Sequence, residues 1–206
     1  MVITYHGTQF FKIQQGDILI AFNPPQKTNR FGATIGIVSL NDPDFNGVEN
    51  LSYGDKKPLV ISGPGEYELK GIFIQGFGVP VVYKKEEKIN TIYHLTVEGV
   101  RICFLGVLQK PILPEEIEES TTEVDLLFVP IGGGDVLSPA DAHKMTRLLE
   151  AKITIPMHYD GDKSPQIKKF LEEAGEDIQP AEKLTIRKKD FEGKVAEIVI
   201  LKQLTS

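Results

Sequence analysis

The sequence predicts an α/β protein of two sheets packed face to face with helices outside, a four-layer αββα sandwich. Three observations carry this. The first half is a series of short runs rich in β-branched and aromatic residues, separated by turn formers. The run VDLLFVPI has no polar alternation, as a strand covered on both faces requires. Helix starts marked by Ser-Pro pairs occur only in the second half, at Ser138 and Ser164. No linker interrupts the pattern, so one domain spanning residues 1–206 is expected.

In chain order, VITY, QFFKIQ and DILIAF read as strands, with Gln15-Gly16 as a tight turn between the second and third. NPPQKTNRFG is a loop, and ATIGIVS, PLVIS, EYEL and GIFIQG continue the strands. The run KKEEK, Lys84 to Lys88, reads as a solvated hairpin tip. TIYHLTV and VRICFLGV follow, joined by a two-residue turn at Glu98-Gly99. Ser138 caps a helix with Pro139 at its first position; Ala142, Met145, Leu148 and Leu149 fall on its inner face. AKITIPMHY is a further strand, expected beside VDLLFVPI. Ser164-Pro165 opens a second helix that Gly175 closes. The tail returns to strands at KLTIRKK and VAEIVIL.

Composition narrows the function classes. Hydrophobic content of 41% and charged content of 25% describe an ordinary globular chain. A net charge of -6, with scattered Lys and Arg, argues against nucleic acid. The start lacks the basic and apolar regions of a signal peptide, and no apolar run matches a membrane span. A cytoplasmic location without a membrane partner is therefore expected. The single cysteine, Cys103, forms no internal disulfide and reads as a small buried hydrophobe.

VSLNDPDFNG, Val38 to Gly47, places Asp42 and Asp44 just beyond a buried strand, where α/β proteins carry chemistry. Glu66 and Glu68 share one side of a strand beside a Pro-Gly turn and read as a solvated face. IGGGD, Ile131 to Asp135, reads as a strand-to-helix connection rather than a phosphate cradle. No Ser-His-Asp or Cys-His arrangement is legible from spacing.

ITYHGTQFFKI, IGIVSLNDPDFNGVE, GPGEYELKGIFIQG, TIYHLTVEGVRICFLG, VDLLFVPIGGG and ITIPMHYDGD, in this order, resemble the metallo-β-lactamase fold. The branch they look most like is that of the L-ascorbate-6-phosphate lactonases. The resemblance implies a His-x-His-x-Asp-His loop holding one or two metal ions, with further His and Asp ligands on later loops and an activated water at the metal. Laid on that pattern, Leu40 stands for the first His, Asp42 for the second, Asp44 for the Asp and Phe45 for the last His. Val107 stands for the bridging Asp. Asp44 and His158 match, and His6 lies near the mouth of the family's site.

Three ligand positions are thus apolar. The resemblance, so altered, implies a site repacked around Leu40 and Phe45, with no metal cofactor and no hydrolytic activity, in a chain with a binding, regulatory or assembly role. The alternative is a metal-dependent hydrolase of the lactone or phosphoester class, built from Asp42, Asp44 and His158, with His6 or Asp160 as further ligands. Zinc or manganese would then be the cofactor, oxygen-rich ligands favouring manganese or magnesium over zinc. Asp44 and His158 are expected to form a hydrogen bond or ion pair that favours the imidazolium. Partners are not legible, and homo-oligomerisation is left open.

Overall fold

The computed structural model of the chain describes residues 1–55, 57–120, 123–159, 161 and 163–204, and the backbone alone of 118–120. Its elements in chain order are β1 (Val2–Tyr5), β2 (Phe11–Gln15), β3 (Ile18–Phe22), β4 (Ile35–Ile37), β5 (Leu59–Ile61), β6 (Gly65–Leu69), β7 (Ile72–Tyr83), β8 (Glu86–Val97), β9 (Val100–Phe104), α1 (Glu115–Ser120), β10 (Leu126–Pro130), α2 (Pro139–Leu148), β11 (Ile153–Met157), α3 (Pro165–Ala174), β12 (Leu184–Thr185) and β13 (Glu197–Ile198). Among the described residues one sheet runs β12-β1-β2-β3-β4-β5 and the other β13-β11-β10-β9-β8-β7-β6.

The sheets face each other across an apolar layer. Phe11 and Phe22 from the first sheet meet Phe104 and Phe128 from the second, with Phe11–Phe128 and Phe22–Phe104 centroids both 4.8 Å apart. Alternation on β3 divides its side chains: Ile20 and Phe22 enter this layer, while Ala21 joins Phe10, Ala33 and Leu51 on the opposite face. That outer face is covered by the chain between β3 and β5, with one 3-10 turn at Val48–Leu51. Helix α2 packs on β10 and α3 on α2, covering the second sheet. The arrangement is the α/β sandwich expected from the sequence.

β10 and β11 are parallel neighbours, Leu126 opposite Ile153, and both are buried along their length. Ser138 and Ser164 cap α2 and α3 by accepting from the amides of Asp141 and Ile167, and Gly175 ends α3 in the left-handed region at φ 72°. The Glu98-Gly99 turn joins β8 to β9.

Some local readings are corrected. The β2–β3 turn is Gly16-Asp17, one residue later than read, because Gln15 pairs with Ile18. Leu148 is exposed, since α2 buries Pro139, Ala142, Met145 and Thr146 together with the capping Leu149, and Leu148 falls outside that face. The tail strands shrink to two residues each, and Lys188–Phe191 is a 3-10 turn. Helix α1 has no counterpart in the sequence reading.

Candidate functional site

Strands β3, β4 and β5 run parallel, as do β9, β10, β11 and β13. Parallel sheets gather function at the carboxyl ends of their strands. There stand Asn23 after β3, the Val38–Gly47 loop after β4, Gly106 and Val107 after β9, the Ile131–Asp135 loop after β10 and His158 after β11. The β7–β8 hairpin tip folds against the same region.

Leu40, Phe45 and Val107 are fully buried and pack into one apolar cluster with Val81, Tyr83 and Val136. The Phe45 ring lies 5.5 Å from that of Tyr83 and 6.2 Å from that of His158, centroid to centroid.

The two loop carboxylates differ. Asp42 is buried, and its oxygens accept from Lys84 Nζ at 2.9 Å, Lys88 Nζ at 2.7 Å and the Asp44 amide at 3.1 Å. Burial alone would raise this carboxyl, but the Lys88 and Lys84 ammonium groups outweigh it and bring it down to about 2. Asp44 is half-exposed and accepts from Tyr83 Oη at 3.1 Å and Lys84 Nζ at 2.8 Å. Burial, then the Asp44 charge, pushes the Tyr83 phenol above its ordinary value. KKEEK is the hairpin tip the sequence suggested and Lys84 is exposed, but Lys88 is half-buried and the ammonium groups of both are engaged by the loop carboxylates. The turn residues Lys84 and Lys85 both have positive φ, 52° and 67°, which matches a two-residue hairpin and aims Lys84 back over the loop.

The expected Asp44–His158 pair does not form, because Lys84 and Tyr83 hold Asp44 and His158 turns toward Gln9. A buried chain of amides fixes the imidazole. Ser39 N donates to Asn23 Oδ1, so the other side-chain atom of Asn23 is the NH2 group, which donates to Ser39 Oγ and Gln9 Oε1. Gln9 Nε2 is then the NH2 end; it donates to the Gly106 carbonyl at 2.9 Å and meets His158 Nδ1 at 3.0 Å. His158 Nδ1 must accept, so the proton sits on Nε2. His158 occupies the left-handed region at φ 62°, and a Cβ on Gly132 would lie 2.4 Å from its carbonyl oxygen. The glycine after β10 is thus required by the close approach of His158.

Asp44, Tyr83, His158, Gln166, Thr8 and Gly132 line a polar pocket of about 280 Å³ beside the apolar cluster. His6 stands apart from this lining: its ring lies tilted against Phe10 at 4.9 Å, its Nε2 meets Thr4 Oγ1 at 3.1 Å, and burial, helped by Lys12, lowers it to about 4. Asp160 lies outside the described residues. Glu66 and Glu68 are exposed, and Gln75 donates to Glu66. Among the described residues, no three His, Cys, Asp or Glu side chains come together as a group that could hold a metal ion. Sequence reasoning missed Gln9, Asn23, Lys84 and Lys88, and also Asn90, whose Oδ1 accepts from the Val107 amide at 2.8 Å; the partners that place them in the site lie 14 to 149 residues away.

Residues 2–158 match the family model described as beta-lactamase superfamily domain. This chain belongs to the metallo-β-lactamase superfamily. It is similar to the UPF0173 metal-dependent hydrolase of Listeria innocua, 29% identical over 123 residues, covering 56% of this chain and 50% of that protein. The match thus spans about half the length of this curated relative. Among solved structures, a metallo-β-lactamase superfamily protein from Thermotoga maritima superposes with a TM-score of 0.75 at 24% identity, over 97% of each chain. Igni18, a metallo hydrolase from Ignicoccus hospitalis, does so with a TM-score of 0.65 at 19% identity, over 90% of this chain and 98% of its own. These superpositions show a shared fold. No helix among the described residues is long and apolar enough to cross a membrane.

Proposed function

We propose that this chain is a metallo-β-lactamase-fold protein without hydrolytic activity, a single cytoplasmic domain over residues 1–206 with a binding or regulatory role. The observation that carries the reading is the filled site: Leu40, Phe45 and Val107, at positions that resemble ligand positions of the lactonase-like branch, form one buried apolar cluster. The residues present do not fit a metal ion. Asp42 offers its oxygens to two ammonium groups, and Asp44 shares Lys84. A cation entering here would have to displace lysine charge as well as apolar packing. The two ammonium groups supply the positive charge that a buried carboxylate needs, so the loop is stable as built.

The relative named as a metal-dependent hydrolase is the ground for the other reading, zinc or manganese on Asp42, Asp44 and His158. The test is elemental analysis of protein purified without chelator, combined with lactone and phosphodiester hydrolysis assays. The expected result is substoichiometric metal and no turnover. Stoichiometric zinc or manganese, with activity that is lost on adding a chelator and in His158→Ala, would overturn the proposal.

A further inference from the structure

A second concavity lies along the β7–β8 hairpin. It is a groove of about 780 Å³ between this hairpin and the segment that follows Val107, far larger than the polar pocket at His158. Val81, Leu108 and Leu113 form its buried floor, and Ile89 and Ile112, exposed at 53% and 68%, stand on its rim. Such a volume is in the range of small-molecule sites, which are mostly apolar with a few polar groups that orient the ligand.

Here the polar groups are already engaged. β6 covers β7 only as far as Gly76, so the outer part of β7 presents a strand edge. That edge is blocked at two positions. Pro80 has no amide hydrogen. The Val82 amide donates to Gln109 Oε1 at 2.9 Å, and Gln109 Nε2 donates to the Val82 carbonyl at 2.7 Å. Lys88 directs its ammonium to Asp42 and Glu86. The remaining charged lining groups, Glu87 and Lys110, are opposite in sign and exposed, so the lining offers no net charge to an ionic head group.

We infer that this groove binds an uncharged aliphatic small molecule, held by apolar contact along Val81, Leu108, Leu113, Ile89 and Ile112. An extended peptide meets no amide hydrogen at Pro80 and an engaged backbone at Val82 on this edge, and Glu87 and Lys110 together offer no net charge to a carboxylate or ammonium head. The groove shares Val81 with the apolar cluster and Lys88 with Asp42, but none of its lining residues lines the pocket at His158, and its test does not depend on the proposed lack of hydrolysis.

The experiment is titration of the intact protein with 1-decanol, decanoate and decylamine, followed by methyl chemical shifts in two-dimensional NMR. Decanol is expected to saturate shifts of Leu108, Leu113, Ile89 and Ile112, and to bind more tightly than either charged analogue. Ile112→Asp and Ile89→Asp replace exposed side chains, so both should fold and weaken decanol by about tenfold or more. Absence of saturation, tighter binding of decanoate or decylamine, or unchanged decanol affinity in both variants would overturn the inference. So would a concentration-dependent dimer that Ile112→Asp makes monomeric, since a second copy would then cover the groove.

Discussion

Lys88 Nζ lies 2.7 Å from the buried Asp42 Oδ2, joining the β7–β8 hairpin to the loop after β4. Lys84 reaches the other oxygen of the same carboxylate and also holds Asp44. A buried carboxylate needs charge or hydrogen bonds, and here the charge comes from one hairpin while the Asp44 amide adds a hydrogen bond from the loop itself. Lys88→Met should therefore cost about 1–3 kcal/mol, with Lys84 still present to limit the loss. Lys84→Met with Lys88→Met should cost more than the sum of the two single changes, because it strands Asp42. Urea unfolding of the four proteins measures this; purely additive effects would show that the two ammonium groups act separately.

Acid should unfold the protein in two stages. His6 is half-buried and lowered to about 4 from 6.5, so the folded state binds fewer protons than the unfolded one in that window. Its contribution is complete above about 6.5 and is lost as pH falls toward 4. Asp42 and Asp125 are both held at about 2 against an ordinary 3.8. For Asp125, burial opposes ionisation, but the Arg101 amide and the ammonium groups of Lys152 and Lys188 prevail. Each carboxylate should contribute about 2 kcal/mol above pH 4 that disappears between 4 and 2. Unfolding midpoints measured from pH 8 to 2 should show both windows. His6→Phe should flatten the upper one and Asp125→Asn the lower.

The strands and caps were legible because their signals are local. A Ser-Pro start, a Glu98-Gly99 turn or an unbroken run such as VDLLFVPI specifies its own conformation within a few residues. The apolar character of Leu40, Phe45 and Val107 was legible too, once the loop was aligned with a known pattern. The charge partners were not. Lys84 and Lys88 look like surface residues in KKEEK, and only the folding of β7 against β8 brings them over Asp42, more than forty residues away. Gln9, Asn23 and Asn90 are ordinary amides in sequence. Gln9 and Asn23 stand on loops and Asn90 on β8, and their burial follows from these elements meeting at one end of the sheets, which no local pattern encodes.

The amide chain from Ser39 through Asn23 and Gln9 makes His158 Nδ1 an acceptor. Nitrogen-15 shifts of the His158 ring should therefore report the Nε2–H form at neutral pH. Gln9→Glu places a carboxylate where the NH2 group was and should move the proton to Nδ1. An Nδ1–H form in the unaltered protein would contradict the assignment of the whole chain.

Gly132 lies against the His158 backbone, where a Cβ would stand 2.4 Å from the carbonyl oxygen and 2.9 Å from the ring. Backbone cannot yield as a flexible side chain can. Gly132→Ala should cost about 2 kcal/mol or more and displace His158, seen as a lower melting temperature with ring shifts altered at that histidine. Gly133→Ala is the control for a neighbouring glycine: its added Cβ would meet nothing within 4 Å, so only its backbone conformation, φ 73°, would be strained and the His158 ring should stay in place.

Phe45 separates the two readings of the site. It is fully buried between Tyr83 and His158, so Phe45→Ala opens a cavity and should cost about 3–5 kcal/mol. Phe45→His is the sharper change, because it places an imidazole next to Asp44 and His158. If the surrounding site had kept the geometry to hold a metal, zinc would bind this variant's folded state and raise its melting temperature in proportion to the logarithm of zinc concentration. With Leu40 and Val107 still filling the space and Lys84 still on both carboxylates, the imidazole instead enters an apolar cluster without a partner. Phe45→His should then lose stability to a degree similar to Phe45→Ala, and zinc should leave its melting temperature unchanged. A zinc-dependent rise in Phe45→His, abolished by His158→Ala, would mean that one substitution is enough to restore the centre. The packing of Leu40 and Val107 would then be a minor obstacle, and the metal-dependent reading would regain its ground.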